Sequence, residues 1–266
     1  MSSEMERATA STAGSASAFS LAGKVAIVTG SSTGLGQGMS LGLAAAGADI
    51  VGVDYVDSPE TAEQVEALGR KYIAVKANLM TIEPIESIVK TAVDSLGHLD
   101  ILVNNAGIIR REDAVNFTEK DWDDVMSINV KTVFFFAQAA ARQFLAQKSK
   151  GKIVNIASML SFQGGIRVPS YTASKSGVMG ITRLMANEWA KHGINVNAIA
   201  PGYMATNNTA ALRADEQRNS EILGRIPAGR WGLPSDLAGP VVFLASDASD
   251  YVNGYTIAVD GGWLAR

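Results

Sequence analysis

From Lys24 onward, short runs of β-branched and aliphatic residues alternate with longer amphipathic stretches. The runs are VAIVT (25–29), DIVGV (49–53), YIAV (72–75), DILV (100–103), KIVNIA (152–157), INVNAIA (194–200) and YTIAV (255–259). Apolar positions within each run are nearly continuous rather than alternating, as expected of strands covered on both faces. The segments between them are long enough for crossover helices. The pattern predicts an α/β fold: a doubly wound parallel sheet of seven strands with helices on both faces, and right-handed crossovers leave few topologies. Residues 19–266 read as one domain. The stretch from Pro201 to Leu233 has neither a predicted strand nor a crossover helix, and it reads as a lid over about 202–230.

Composition removes several kinds of function. A chain of 266 residues, 47% apolar, can bury one good core. Its net charge of −3 comes from interspersed acids and bases with no long basic run, so neither nucleic acid nor an anionic membrane surface has a docking patch. A small soluble partner is expected instead. Cysteine is absent and only His98 and His192 offer imidazole, so no metal site is predicted. Residues 1–18 are rich in Ser, Ala and Thr and lack the apolar centre of a secretory signal. They read as a disordered leader. No later apolar run is long enough to span a bilayer, and a cytoplasmic location is expected.

The first strand runs directly into Thr29-Gly30-Ser31-Ser32-Thr33-Gly34-Leu35-Gly36, followed by a helix-compatible segment to Ala46. Glycines there allow a tight turn and close approach of a pyrophosphate, whose charge the free N–H groups and helix dipole would meet. The same spacing also serves a plain strand-to-helix turn. Asp54, at the end of the second strand, stands where a dinucleotide fold places an acid on the adenosine ribose. A carboxylate there accepts from both ribose hydroxyls and repels a 2′-phosphate. No Arg or Lys occupies the turn or follows Asp54 directly, so NAD is expected over NADP. The alternative for Asp54 is a solvated turn residue.

Ser158 ends the fifth strand, and Tyr171 and Lys175 follow in Tyr-Thr-Ala-Ser-Lys, opening a segment that reads as helix to about Ala190. Four residues apart on a helix, they share a face at about 6 Å. A phenol of pKa near 10 needs a shift of about three units, ~4 kcal/mol, to ionise at neutral pH. An ammonium at about 4 Å in an effective dielectric near 20 supplies ~4 kcal/mol. Lys175 is therefore expected to hold Tyr171 ready as a general acid/base, with Ser158 orienting the substrate oxygen. Two look-alikes are set aside. Tyr72 and Lys76 share the spacing but fall on a predicted strand, about 13 Å apart. Gly30-Ser31-Ser32-Thr33-Gly34 matches a hydrolase elbow, yet neither histidine has a triad context.

Together, Thr29 to Gly36, Asn104-Asn105-Ala106-Gly107, Asn129, Ser158, Tyr171, Lys175 and Pro201-Gly202 resemble the short-chain dehydrogenase/reductase family over residues 19–266. The resemblance implies a sheet of order 3-2-1-4-5-6-7. It implies that Asn129 holds a water linking Lys175 to solvent, that Lys175 also binds the nicotinamide ribose, and that Asn105, Ala106 and Gly107 flank the adenosine. Thr206 matches the residue that binds the nicotinamide carboxamide, and Asn78, beside Leu79, stands where the family usually has an Asp against the adenine. Residues 108–113, 158–167 and 201–209 are similar to a branch of the family acting on deoxy sugar acids in uronate and pectin breakdown. That similarity implies oxidation of a secondary alcohol on a six-carbon sugar acid. It also implies a homotetramer built on long helices near 118–147 and 171–190 and on the last strand. Arg167, with Gln163 in the loop between Ser158 and Tyr171, and Arg110, after the Asn-Asn-Ala-Gly turn, are candidate substrate contacts, the two arginines for a carboxylate. Other polyol, 3-hydroxyacyl or steroid alcohols remain alternatives, and a non-catalytic dinucleotide sensor is a further one.

Overall fold

The computed structural model describes residues 17–266. The expected leader lies outside the described residues, save that Ser17 and Ala18 join Phe19 in a 3-10 turn. Seven strands form one parallel sheet: β1 (Val25–Thr29), β2 (Asp49–Asp54), β3 (Tyr72–Lys76), β4 (Ile101–Asn104), β5 (Gly151–Ile156), β6 (Ile194–Pro201) and β7 (Thr256–Val259). Their order is β3-β2-β1-β4-β5-β6-β7, as the sequence predicts. The ladder pairs Val28 with Gly52 on one side and with Val103 on the other.

Helices cover both faces, and alternate residues of a strand enter different cores. Val25 and Ile27 of β1 pack with Ile88 and Val89 of α3 (Ile85–Leu96), Phe136 and Phe144 of α5 (Thr132–Gln147), and Met185 of α6 (Pro169–Trp189). Ala26 and Val28 pack instead with Met39 and Leu43 of α1 (Gly34–Ala45), Val65 of α2 (Pro59–Ala67) and Val241 of α9 (Ala238–Ala245). The central strands β1, β4, β5 and β6 are buried along their whole length. That is why they read as unbroken apolar runs. The edge strand β3 alternates buried and exposed positions, and β7 keeps partial exposure, because an edge lacks one neighbour.

The run expected as one long helix near 118–147 is divided. α4 (Glu119–Met126) passes into a π-helical turn, Ser127–Lys131, before α5 begins. A π turn inserts one residue into the helical repeat and redirects side chains, a device frequent at functional sites. Here it buries Asn129 completely. The stretch from 202 to 230 carries α7 (Ala210–Ala214) and α8 (Glu216–Arg225). Among the described residues no helix is long and apolar enough to cross a membrane. The strand order reverses between β1 and β4, and the C-terminal ends of the flanking strands open a crevice at that switch point, where open α/β sheets bind ligands.

Candidate active site

The glycine turn is held from two sides. Thr29, buried at the end of β1, accepts hydrogen bonds on Oγ1 from the backbone N–H of Asn105 (3.0 Å) and of Ala106 (2.9 Å). Asn105 returns its Nδ2 to the carbonyls of Thr29 (2.9 Å) and Gly30 (3.1 Å). Gly30 has φ +66°, and a Cβ on Gly36 would lie 1.9 Å from the Gly30 carbonyl oxygen. Only glycine permits that approach of α1 to the turn. At the N-terminus of α1, the Thr33 side chain makes no capping hydrogen bond, which leaves the first-turn N–H groups and the positive dipole end directed at the crevice. Asp54 accepts from the N–H of Ser32 at 2.9 Å.

A cavity of about 620 Å³ runs along this edge of the sheet. Of the residues expected to hold a dinucleotide, Gly30, Ser32, Thr33, Gly34, Leu35, Asp54, Asn78, Leu79, Asn105, Ala106, Gly107, Tyr171, Lys175 and Thr206 line it. Gly36, Pro201 and Gly202 do not. Gly36 lies beneath the turn, and Gly202 sits against Asp260, where a Cβ would come within 2.6 Å of the backbone. Their contribution is to chain packing rather than to the cavity wall. Sequence reading missed Tyr55, Met80, Ile108 and Asn208, which also line it. No residue-type signal marks them, because loops folding back over the sheet bring them there. The cavity size, the uncapped helix start, the glycine approach and the carboxylate at the end of β2 together fit a dinucleotide.

The catalytic candidates gather at the other end. Tyr171 and Lys175 occupy successive turns of α6, with Nζ of Lys175 5.6 Å from the centre of the Tyr171 ring. That ammonium donates to the Ile156 carbonyl at 2.6 Å. Ser158 Oγ accepts from the Leu160 N–H at 3.1 Å and stands beside the Tyr171 phenol, whose pKa it lowers. Asn129 is locked in place: Oδ1 accepts from the Ile108 N–H (2.9 Å), and Nδ2 donates to the Ile108 carbonyl (3.0 Å) and to Ser174 Oγ (3.1 Å), next to Lys175. Burial pushes the Tyr171 pKa up, with the Ser158 hydroxyl and the Arg111 charge pulling it back. Burial also brings Lys175 down to about 8. In the protein alone, desolvation is the larger influence on the Tyr171 phenol. The Tyr72–Lys76 pair lies on β3 as expected. Tyr72 bonds Ser31 (3.1 Å) and Ser58 (2.8 Å), while Lys76 pairs with Asp57 at 3.2 Å.

Three substrate candidates are placed differently from expectation. Arg167 adopts φ +64° and directs Nε to Asp113 at 3.1 Å. Arg110 pairs with Asp121 at 3.4 Å and Asp124 at 4.0 Å. Neither lines the cavity, because nearby acids in the 112–124 stretch take both guanidinium groups. Gln163 accepts from Trp263 Nε1 at 3.2 Å and from Arg225 at 3.5 Å, which ties its loop to the C-terminus. The stretch that follows β6 packs against the same region. Tyr203 makes edge contacts with Trp231 and Trp263, at 5.4 and 4.8 Å between ring centres, and a Cβ on Gly34 would stand 3.6 Å from the Thr206 methyl.

Comparison with known proteins agrees with this geometry. The model of a family described as enoyl-(acyl carrier protein) reductase matches residues 30–264. The chain is similar to the 2-dehydro-3-deoxy-D-gluconate 5-dehydrogenase of Escherichia coli (strain K12), 75% identical over 250 residues, covering 94% of this chain and 99% of that one. A crystal structure from Agrobacterium tumefaciens with bound NADP is 56% identical, covers 94% of this chain and 99% of that chain, and superposes with a TM-score of 0.87. A gluconate 5-dehydrogenase from Burkholderia cenocepacia J2315, in complex with NADP and tartrate, is 38% identical over 94% of this chain and 99% of that chain, with a TM-score of 0.90. With a Rossmann-like sheet of the expected order and relatives of this identity, the chain belongs to the short-chain dehydrogenase/reductase family and is an oxidoreductase acting on CH–OH groups.

Proposed function

We propose that the chain catalyses the reversible oxidation of a secondary alcohol on a deoxy sugar acid, with 2-dehydro-3-deoxy-D-gluconate oxidised at its 5-hydroxyl as the leading substrate and NAD as the preferred dinucleotide. The observation that carries this reading is the 75% identity to the Escherichia coli 5-dehydrogenase across nearly the full length of both chains. Tyr171 and Lys175 at one end of the cavity, with Ser158 and Asn129 buried behind its wall, support it.

The chemistry the dinucleotide supplies when bound is acceptance or return of a hydride. Gly30, Ser32, Thr33 and Gly34 would hold its pyrophosphate, Asp54 its adenosine ribose, Asn78 and Leu79 its adenine side, and Lys175 and Thr206 its nicotinamide half. Tyr171 exchanges a proton with the substrate oxygen, and Ser158, beside the same phenol, orients that oxygen. A phenol kept neutral by burial is ready to donate in the reducing direction. In the oxidising direction the charges of Lys175 and Arg111 favour its deprotonation. Asn129 fixes the segment beside Lys175 and would hold a water that links Lys175 to solvent. Exposed Trp122, Leu145 and Leu184 on α4, α5 and α6, with Tyr255 beside β7, support a homotetramer.

The test is turnover by the purified protein of 2-dehydro-3-deoxy-D-gluconate, 2-deoxy-D-gluconate, gluconate, neutral polyols and a hydroxysteroid, each with NAD and with NADP. The reading expects the deoxy sugar acids to give the highest kcat/KM. Preferential turnover of a neutral alcohol would overturn it.

A further inference from the structure

The four residues following Ile109 are all charged, and three of them are matched within the chain. Arg110 pairs with Asp121 and Asp124. Asp113 takes Arg167, and Glu112 bonds the Asp113 N–H at 2.7 Å while its own N–H reaches the Arg167 carbonyl at 3.1 Å. Arg111 has no acidic partner among the described residues. Its Nη2 donates instead to the carbonyl of Asn208 at 3.1 Å, across the mouth of the cavity that Asn208 lines. Resting on the sugar-acid reading above, we propose that Arg111 is the residue that recognises the substrate carboxylate and so sets specificity for acids over neutral alcohols.

Position and chemistry both point to Arg111. A guanidinium presents five donors in a planar fork, and a single bond to a carbonyl leaves the rest for a bidentate carboxylate. The loop bearing it is joined to the 163–168 loop by the Arg167–Asp113 pair and the Glu112–Arg167 backbone bond, and the Asn208 bond directs the fork toward the cavity mouth. Arg111 is also the positive side chain whose field is felt at Tyr171, which places it on the reacting side of the cleft. Other cations near the lid are engaged. Arg225 stacks over Trp263 at 4.1 Å and Arg218 pairs with Glu221 at 2.7 Å, while Arg213 spends one bond on the Thr206 carbonyl at 3.0 Å, as Arg111 does on Asn208, but is not among the charges felt at Tyr171. A sugar acid with its alcohol at Tyr171 and Ser158 would bring its carboxylate under the Asn208 edge of the lid, where Arg111 is already the donor. The acids around it are spent on Arg110 and Arg167, which keeps them from competing for the fork.

The experiment compares wild type, Arg111→Met and Arg111→Lys on the sugar acid and on its neutral alcohol analogue. It adds calorimetric titration of the dinucleotide-loaded protein with tartrate as a plain dicarboxylate probe. Arg111→Met should raise KM for the acid about tenfold or more, equivalent to ~1.4 kcal/mol. It should lower kcat/KM for the acid at least tenfold more than for the neutral analogue, which loses only the charge near Tyr171, leave the dinucleotide affinity unchanged, and weaken tartrate binding in step. Arg111→Lys should recover part of the loss, since it restores charge without the fork. Equal losses on acid and neutral analogue would make Arg111 a lid latch and overturn the assignment, as would an unchanged KM for the acid. If the wild type turns over no sugar acid, the reading of the function fails. The tartrate titration then decides Arg111 by itself: Arg111-dependent binding upholds a carboxylate site, and binding indifferent to Arg111 removes it.

Discussion

Asp54, the last residue of β2, accepts the backbone N–H of Ser32 at 2.9 Å, which ties the acid of the second strand to the turn that follows the first. Its other oxygen takes the Tyr55 N–H at 2.7 Å, so the carboxylate is oriented before any ligand arrives. A fixed negative charge at the ribose edge favours hydroxyls and disfavours a 2′-phosphate. The ladder sets Lys76 opposite Asp54, but Lys76 is engaged with Asp57 at 3.2 Å. Both members of that pair are well exposed, so the pair is weak and a phosphate could draw Lys76 away. Steady-state kinetics should therefore show higher kcat/KM with NAD than with NADP in the native protein. Asp54→Ala should bring the two within about tenfold, by loss on NAD and gain on NADP. Equal use of both cofactors by the native protein would remove Asp54 as the discriminator.

Tyr171→Phe keeps the ring that lines the cavity and removes the proton carrier. Turnover should fall by about 10²–10⁴, the usual contribution of a positioned general acid/base, with dinucleotide affinity by fluorescence titration nearly unchanged. Since burial holds the phenol neutral, alcohol oxidation by the native enzyme should quicken as pH rises above neutrality, and ketone reduction should slow. A residual kcat above about a tenth of wild type would assign the proton to another group.

Lys175 carries a cost that pH reveals. Its folded pKa of about 8 lies below the ordinary lysine value of 10.5, so the folded protein disfavours the ammonium by about 3 kcal/mol at pH 7. The stability linked to this group is present above the unfolded value and is lost as pH falls through 8. Lys175→Met recovers that cost, less about 1–3 kcal/mol for the Ile156 carbonyl left without its donor. Urea unfolding should give the variant its best standing relative to wild type at pH 7, shrinking by about 1 kcal/mol at pH 9. A difference that is constant across that range would contradict the buried ammonium.

Much of this was legible in the chain. Unbroken apolar runs located the strands to within a residue because the central strands are covered on both faces. Glycine spacing with Asp54, and the four-residue step from Tyr171 to Lys175, located the two ends of the cleft because the chemistry demands those residue types there. The ion pairs of Arg110 with Asp121 and of Arg167 with Asp113 are not legible in the sequence, because they depend on how the 110–124 and 163–168 segments fold against each other. The π turn at Asn129 and the reach of Arg111 to Asn208 depend on how distant segments fold back, and no local pattern encodes either.

Thr29 is the other residue whose role emerges only in three dimensions, and it joins the fold to the cavity. Its hydroxyl donates to the Val103 carbonyl at 3.4 Å and accepts from the Asn105 and Ala106 N–H groups at 3.0 and 2.9 Å. One buried oxygen thus closes the seam between the ends of β1 and β4, directly under the expected adenosine. Thr29→Val preserves shape and leaves two amide donors without an acceptor, each worth about 1–3 kcal/mol when fully buried. Both amides belong to residues that line the cavity, so water restores part of the loss, and a net destabilisation of about 2 kcal/mol is expected in urea. The freed loop should also weaken dinucleotide binding by about tenfold, read by fluorescence titration, because Asn105 would no longer hold the Gly30 carbonyl in register. Thr29→Ser keeps the oxygen and should restore most of the affinity, while stability recovers less for want of the methyl group. If Thr29→Val lowers stability and leaves affinity untouched, the hydroxyl supports the sheet alone and the cavity wall is positioned by Asn105 through its own side chain.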